Sequence, residues 1–395
     1  MSFDEWKKVK LGDLINFRRG HDLPKKNMIV GKYPVIGSNG VIGFHNEFTT
    51  VRPCITVGRS GNVGNPHIID FEAWAHNTTL YIDDFKNNYP QFIYYLLKTL
   101  ELSRFAGGSA VPTLNRNHIH PIELNVPTEI DEQKAIANIL STLDEKIEVN
   151  NQINQTLENM AQELFKRWFV DFEFPNEDGA PYQSSGGEMI ESELGLIPKG
   201  WEVNSLKTII ELHDSKRIPL SKNERTKRDK IYPYYGAASL MDYVDDYLFD
   251  GTFILLGEDG TVMTEDYKPI LQYVWGKFWV NNHAHVLKSK RDISINFLYL
   301  MLRNMNISSA VTGAVQLKIN QKNLKSMKIV LPTDENLIGK FSRIIDDSFE
   351  SYKVLNEENK ILKQVRDTLL PKLMSGEIRV PLEGLEESLT EVKGG

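Results

Sequence analysis

The sequence predicts an α+β fold of two similar globular modules, each followed by one long helix. Three observations lead there: an unbroken heptad from Asp131 to Phe169, a copy of that heptad about 200 residues later, and short strand-like segments ahead of each copy. Such a repeat has to be recognised first, because missing it misassigns the whole fold.

The first helix follows from the absence of breakers and the spacing of apolar residues. No Gly or Pro lies between Pro127 and Pro175, and these are the residues that end or kink helices. Ile136, Leu140, Leu143 and Ile147, then Leu157, Ala161, Leu164 and Trp168, recur at alternating steps of four and three. That period belongs to a coiled-coil seam rather than to a simple surface helix. Asn150 and Asn154 interrupt the seam, and a polar seam residue trades stability for a defined register and partner. At 1.5 Å per residue the rod would be roughly 55 Å long.

Pro332-Thr333 repeats Pro127-Thr128 at an offset of 205 residues (332 − 127). The same offset carries the seam onto Phe341, Ile345, Ser348, Tyr352, Leu355, Asn359, Leu362, Arg366, Leu369 and Leu373. Upstream, Trp6 corresponds to Trp201 and Tyr33-Pro34 to Tyr232-Pro233. Ile55-x-x-Gly58-x-x-Gly61-x-Val63 corresponds to Ile254-x-x-Gly257-x-x-Gly260-x-Val262. The predicted boundaries are therefore 1–130 and 201–333 for the modules and 131–172 and 334–373 for the helices. A connector over 173–200 and a tail over 374–395 complete the chain.

Within the first module, Val35-Ile36-Gly37 and Val41-Ile42-Gly43 flank Asn39-Gly40, a strong hairpin signal. Arg52 to Val57 and Thr78 to Ile82 read as further strands, and Pro90 to Phe105 as a helix with Phe92, Ile93, Leu96, Leu97 and Leu100 on one face. The connector from Pro175 to Gly200 is rich in Gly, Pro, Ser and Glu, which predicts exposure. The second module repeats the plan, with a strand near Phe253 to Leu256 and a helix from Asn296 to Met305. The acidic tail is expected to be mobile.

With 395 residues, 41% hydrophobic and 25% charged, the chain can bury real cores and has the composition of a soluble protein. The single cysteine, Cys54, excludes an internal disulfide framework and suits a reducing, cytoplasmic setting. No signal peptide and no run of eighteen apolar residues occurs, so no membrane partner is expected. A net charge of −7 gives no overall attraction to nucleic acid, which leaves the placement of the cations to decide.

The enzyme signatures sought are missing. Gly31-Lys32, Gly276-Lys277 and Gly339-Lys340 are followed by aromatic residues rather than by the Ser or Thr of a phosphate loop. There is no Gly-x-Gly-x-x-Gly after a strand and no Asn/Asp-Pro-Pro-aromatic motif of amino-methyltransferases. His283 and His285 alternate in what reads as a strand and so share a face, a pattern more often structural than metal-binding. No catalytic residue and no metal ligand is assigned.

The candidate binding residues are polar and basic. In Gly58-Arg59-Ser60-Gly61-Asn62-Val63-Gly64 the glycines alone describe a tight turn. Arg59, Ser60 and Asn62 could approach a phosphate or a base edge, since Arg reads guanine and Asn reads adenine bidentately. The matching loop carries Glu258 and Asp259, able to accept from cytosine or simply solvated. Basic clusters recur in each module: Arg18, Arg19, Lys25 and Lys26, and then Lys216, Arg217, Lys222, Arg225, Lys227, Arg228 and Lys230. A charged surface loop is the plain account of each, but two clusters at roughly matching positions point to phosphate anchoring. Asn115 and Arg116 correspond to Asn320 and its neighbours Lys318 and Lys322, and Asn77 and Asn282 complete the set.

The stretches at the helix ends resemble the specificity subunit of type I restriction-modification systems. They are Asp131-Glu132-Gln133-Lys134-Ala135-Ile136, Leu164-Phe165-Lys166-Arg167-Trp168-Phe169-Val170-Asp171-Phe172, Leu194-Gly195-Leu196-Ile197-Pro198-Lys199-Gly200-Trp201 and Leu369-Leu370-Pro371-Lys372-Leu373-Met374-Ser375-Gly376-Glu377-Ile378. The resemblance covers nearly the whole chain and implies a great deal. Each module would be a target-recognition domain reading one half of a split, asymmetric double-stranded DNA sequence. The two helices would pack antiparallel as a pseudo-twofold spacer on which two modification subunits dock. Those subunits would methylate adenine with S-adenosylmethionine, and restriction subunits would use ATP and Mg for translocation and cleavage. The specificity subunit itself would need no cofactor and catalyse nothing. A stand-alone coiled-coil DNA-binding regulator, or an enzyme of another type, are the competing readings, separable by DNA affinity without partners and by turnover.

Overall fold

The computed structural model describes residues 6–108, 112–290, 293–313 and 316–380. Two 40-residue helices, Ile130–Phe169 and Asn336–Ser375, carry the heptads. The chain divides into two compact units, Met1–Asn150 with Asn356–Gly395, and Asn151–Leu355. The division falls at the middle of each long helix, so each unit owns half of both.

The strand plan repeats from unit to unit. In the first, Trp6–Lys10 pairs antiparallel with Glu123–Pro127, and a four-stranded sheet runs in the order Asn16–Arg19, Thr79–Asp84, Cys54–Gly58, Pro66–Ile69. In the second, Trp201–Ser205 pairs antiparallel with Lys328–Pro332. Its four-stranded sheet runs Ile210–Leu212, Ala284–Ser289, Phe253–Gly257, Leu271–Val274. The expected hairpin forms between Tyr33–Gly37 and Gly40–His45, with Gly40 at φ +96° supplying the turn.

Each core is closed by its share of the long helices. In the first unit Ile136, Leu140 and Ile147 join a buried cluster with Leu373, Met374 and Val380. Asn150 donates to Asn359 at 2.9 Å and to Glu358 at 2.7 Å, while Asp144 pairs with Arg366 and Glu132 with Arg379. As one number rises the other falls, so these two helical segments run antiparallel. In the second unit Phe165, Trp168 and Phe169 pack on Phe341 and Phe297.

One expectation needs correcting, and two segments carry structure beyond what was expected of them. The helix expected over Pro90–Phe105 ends at Thr99; Glu101 takes a left-handed φ of +43° and a short 3-10 turn, Leu102–Phe105, follows. The reversal delivers Leu102 into the core, a tertiary demand with no Gly or Pro to announce it. The connector is largely exposed as expected but is folded. Met189–Ser192 and Gly195–Pro198 form a hairpin that buries Ile197, and Phe174 stacks on Trp201 and Tyr182. The tail leaves its helix at Gly376, φ +76°, and runs back so that Arg379 pairs with Glu132 and Val380 is buried. The acidic remainder, 381–395, lies outside the described residues.

Candidate functional site

In the first unit, the four-stranded sheet brings distant candidates together. Arg18 and Arg19 come from its edge strand, Arg59 from the loop after Cys54–Gly58, and Asn115 and Arg116 from the start of the short helix Arg116–Ile119. They line one cleft of about 530 Å³ together with His21, Tyr81 and Thr113. The loop is built by its glycines. A Cβ on Gly58 would meet the Asn62 carbonyl at 1.8 Å, and Gly61 and Gly64 both sit at φ +84°. Asn115 caps the short helix by accepting from the Asn117 amide at 3.0 Å.

The cations of this cleft are unevenly engaged. Arg18 pairs with Asp83 at 3.1 Å and Arg116 donates to the Phe17 carbonyl at 3.0 Å. Arg19 and Arg59 form no ion pair among the described residues. Of the other candidates, Lys25 and Lys26 are exposed in a 3-10 turn and Asn62 is exposed. Asn77 donates to Asp22, and Ser60 is bridged through its backbone to Thr113.

The second unit differs sharply. Arg217 turns inward, its Nη1 2.6 Å from Glu258 and 2.7 Å from the Ala284 carbonyl, with Asp214 at 3.6 Å from Nη2. The buried His285 has Nδ1 2.6 Å from Asp214 and Nε2 2.8 Å from the Ile319 carbonyl. Asp214 also accepts from the Val286 amide at 2.9 Å and from Gln321 at 2.6 Å. Burial pushes the Asp214 carboxyl up, but the His285 ring, the Val286 amide and Arg217 outweigh it and hold the group below its ordinary range. Asp214, Glu258 and His285 are close enough to share a cation, and the Arg217 guanidinium is already the cation that Glu258 and Asp214 hold. The two histidines do not share a strand face. The strand starts at Ala284, His285 lies within it, and His283 sits in the turn before it, Nδ1 2.6 Å from Asp259.

The basic run of this unit is also largely engaged. Arg225 donates to the Leu220 carbonyl, pairs with Asp242 and lies over the Tyr234 ring. Lys230 above all, then the Tyr243 amide and Arg225, hold the Asp242 carboxyl down to about 2. Arg228 pairs with Asp245 and covers Trp279. Arg217, Arg225 and Arg228, expected as phosphate anchors, are thus each paired with an acid of their own unit. Lys216, Lys222, Lys227, Asn282, Lys318 and Lys322 are exposed, Lys318 with Glu258 at 3.5 Å. Asn320 caps its helix through the Asn323 amide at 2.8 Å, as Asn115 does in the first unit.

Sequence reasoning missed His21, Tyr81 and Asp214. Arg19 and His21 alternate, which could have placed His21 beside the arginine. Asp214 had no local signal, and His285, weighed beside His283, finds its partner in Asp214 instead.

The sequence model of the family described as "Type I restriction modification DNA specificity domain" matches residues 3–159 and 198–364. The type I restriction enzyme MjaIX specificity subunit of Methanocaldococcus jannaschii is 30% identical over 344 residues, covering 79% of this chain and 76% of that one. The type I restriction enzyme HindI specificity subunit of Haemophilus influenzae is 24% identical over 362 residues, covering 73% of this chain and 77% of that one. The crystal structure of a type I restriction-modification S subunit from M. genitalium superposes with a TM-score of 0.62 at 18% identity. It covers 94% of this chain and 96% of that one, a likeness of fold.

Proposed function

The chain belongs to the type I restriction-modification DNA-specificity family, and from that premise we propose how its two domains divide the reading of one split, asymmetric target. It is a specificity subunit and not itself an enzyme; catalysis belongs to partner subunits. The first domain takes one half-site against the arginine-lined cleft, and the second takes the other against its exposed lysines and Asn282. Two modification subunits dock on the long helices and methylate adenine with S-adenosylmethionine, and restriction subunits bring the ATP- and Mg-dependent steps. The complex works in the cytoplasm; among the described residues no helix is long and apolar enough to cross a membrane.

One observation carries this reading: the same domain occurs twice with different side chains at equivalent positions, Arg59-Ser60 in one loop and Glu258-Asp259 in the other. Two domains of one shape whose matching loops differ in chemistry call for two different half-sites. No observation favours a stand-alone regulator. Methylome sequencing of cells carrying the complete system tests the proposal. The expected motif has two unlike parts separated by unread base pairs, and a contiguous motif or a perfect palindrome would overturn it.

A second expected result concerns the lysines. Replacing Lys216, Lys222, Lys227, Lys318 and Lys322 by Ala should weaken DNA binding of the assembled complex alike on all sequences. The salt dependence should become shallower by about one unit per lost phosphate contact. Unchanged affinity at both low and high salt would make these residues ordinary solvated surface.

A further inference from the structure

The two domains build one site on the same backbone and furnish it with opposite charge. Gly58 and Gly257 each end a central strand, and the next residue is held in the same way in both. The Arg59 amide donates to the Thr78 carbonyl and the Glu258 amide to the His283 carbonyl, each at 2.8 Å. Their own carbonyls accept from the Leu114 and Ile319 amides, again at 2.8 Å each. Arg59 and Glu258 thus stand at one position. Arg19 lies opposite Leu80 in the strand register, and Asp214 meets His285 at the matching place. Arg116 and Gln321 each follow the capping asparagine.

The second site closes on itself. Arg217 and His285 engage Glu258 and Asp214, and Gln321 completes the set. Nothing comparable neutralises the first site, where Arg19 and Arg59 share an open cleft of about 530 Å³ without an ion pair among the described residues. Like charges in one concavity focus a positive potential that draws an incoming acceptor. The cleft is large enough for a group of small-molecule size. Arg59 is also tied on both sides of its Cα by backbone hydrogen bonds, so the point from which its side chain reaches is fixed. Reading a base needs such fixed placement, whereas a phosphate anchor only needs charge.

We propose, resting on the DNA-reading function above, that Arg59 with Arg19 reads the O6/N7 acceptor edge of a guanine in the first half-site, and that the equivalent place in the second domain is a scaffold that reads no base. Arg59 is a specificity residue; Glu258 and Asp214 position their own domain's loops. The two half-sites are then read by non-equivalent parts of equivalent domains.

The test uses the full chain assembled with its modification subunits and S-adenosylmethionine on DNA libraries randomised in each half-site, methylation being the readout. Wild type is expected to require guanine at one first-half position. Arg59→Ala should relax that position alone, by about ten- to a hundredfold in discrimination. Arg59→Met, of similar length but without the donors that meet O6 and N7, should relax the same position and decides the matter if the Ala variant does not fold. A uniform loss over all bases, or an unchanged motif, would overturn the assignment and leave Arg59 a phosphate contact. Glu258→Gln should lower the melting temperature, or unfold the second domain, with the surviving motif unchanged; an altered base in the second half-site would overturn the scaffold role. A wild-type complex that methylates no split sequence would instead bring down the proposed function itself.

Discussion

Arg217→Ala is expected to destabilise the second unit by about 3–5 kcal/mol, the cost of stripping one partner from a buried ion pair. The side chain is 12% exposed, and its removal leaves Glu258, 15% exposed, and Asp214, 4% exposed, short of a cation. Lys318, at 3.5 Å from Glu258, can restore part of the loss, which places the effect near the lower end. For a unit of this size the melting temperature should fall by on the order of 10 °C. Thermal unfolding of the intact chain measures the loss, and a shift under about 2 °C would mean the guanidinium is not structural. Acid tests the same cluster from the other side. The folded Asp214 carboxyl lies below its ordinary value of 3.8, so its contribution is present above that value. It is lost as pH falls through the depressed one. Asp214→Asn should lower stability at pH 7 and flatten the decline that sets in as pH falls below 3.8.

Phe341→Ala should cost a similar amount, about 3–5 kcal/mol, for a different reason. Phe341 is fully buried where the second long helix enters its unit. Its ring centroid lies 5.0 Å from Phe169, 5.6 Å from Trp168, 5.9 Å from Phe165 and 6.0 Å from Phe297. Truncation removes the ring's transfer energy and leaves a cavity that four large rings cannot collapse into without disturbing their packing on one another. Phe341→Leu should recover more than half. Denaturant unfolding measures both, and a loss under about 1 kcal/mol for the Ala variant would show that the ring cluster repacks freely.

The architecture was legible because it is written locally. A heptad free of Gly and Pro in the first helix, and its in-phase copy in the second, placed both 40-residue helices to within about three residues at each end. The in-phase repeat foretold one strand plan used twice, and Asn39-Gly40 foretold a hairpin. The family, too, could be recognised from stretches at the helix ends, where the chain must hold one shape.

The division of labour among the charged residues was not legible. Each cation looked alike in sequence, since a lysine or arginine run encodes charge but not its partner. Arg217 finds Glu258 41 positions away and His285 finds Asp214 71 positions away, separations to which neither helical nor strand period extends. Periodicity by itself determined the helices, the repeat and the strands. Only the tertiary structure, by bringing acids to some arginines and leaving Arg19 and Arg59 without them, decided which positive charges hold the protein together and which face an open cleft.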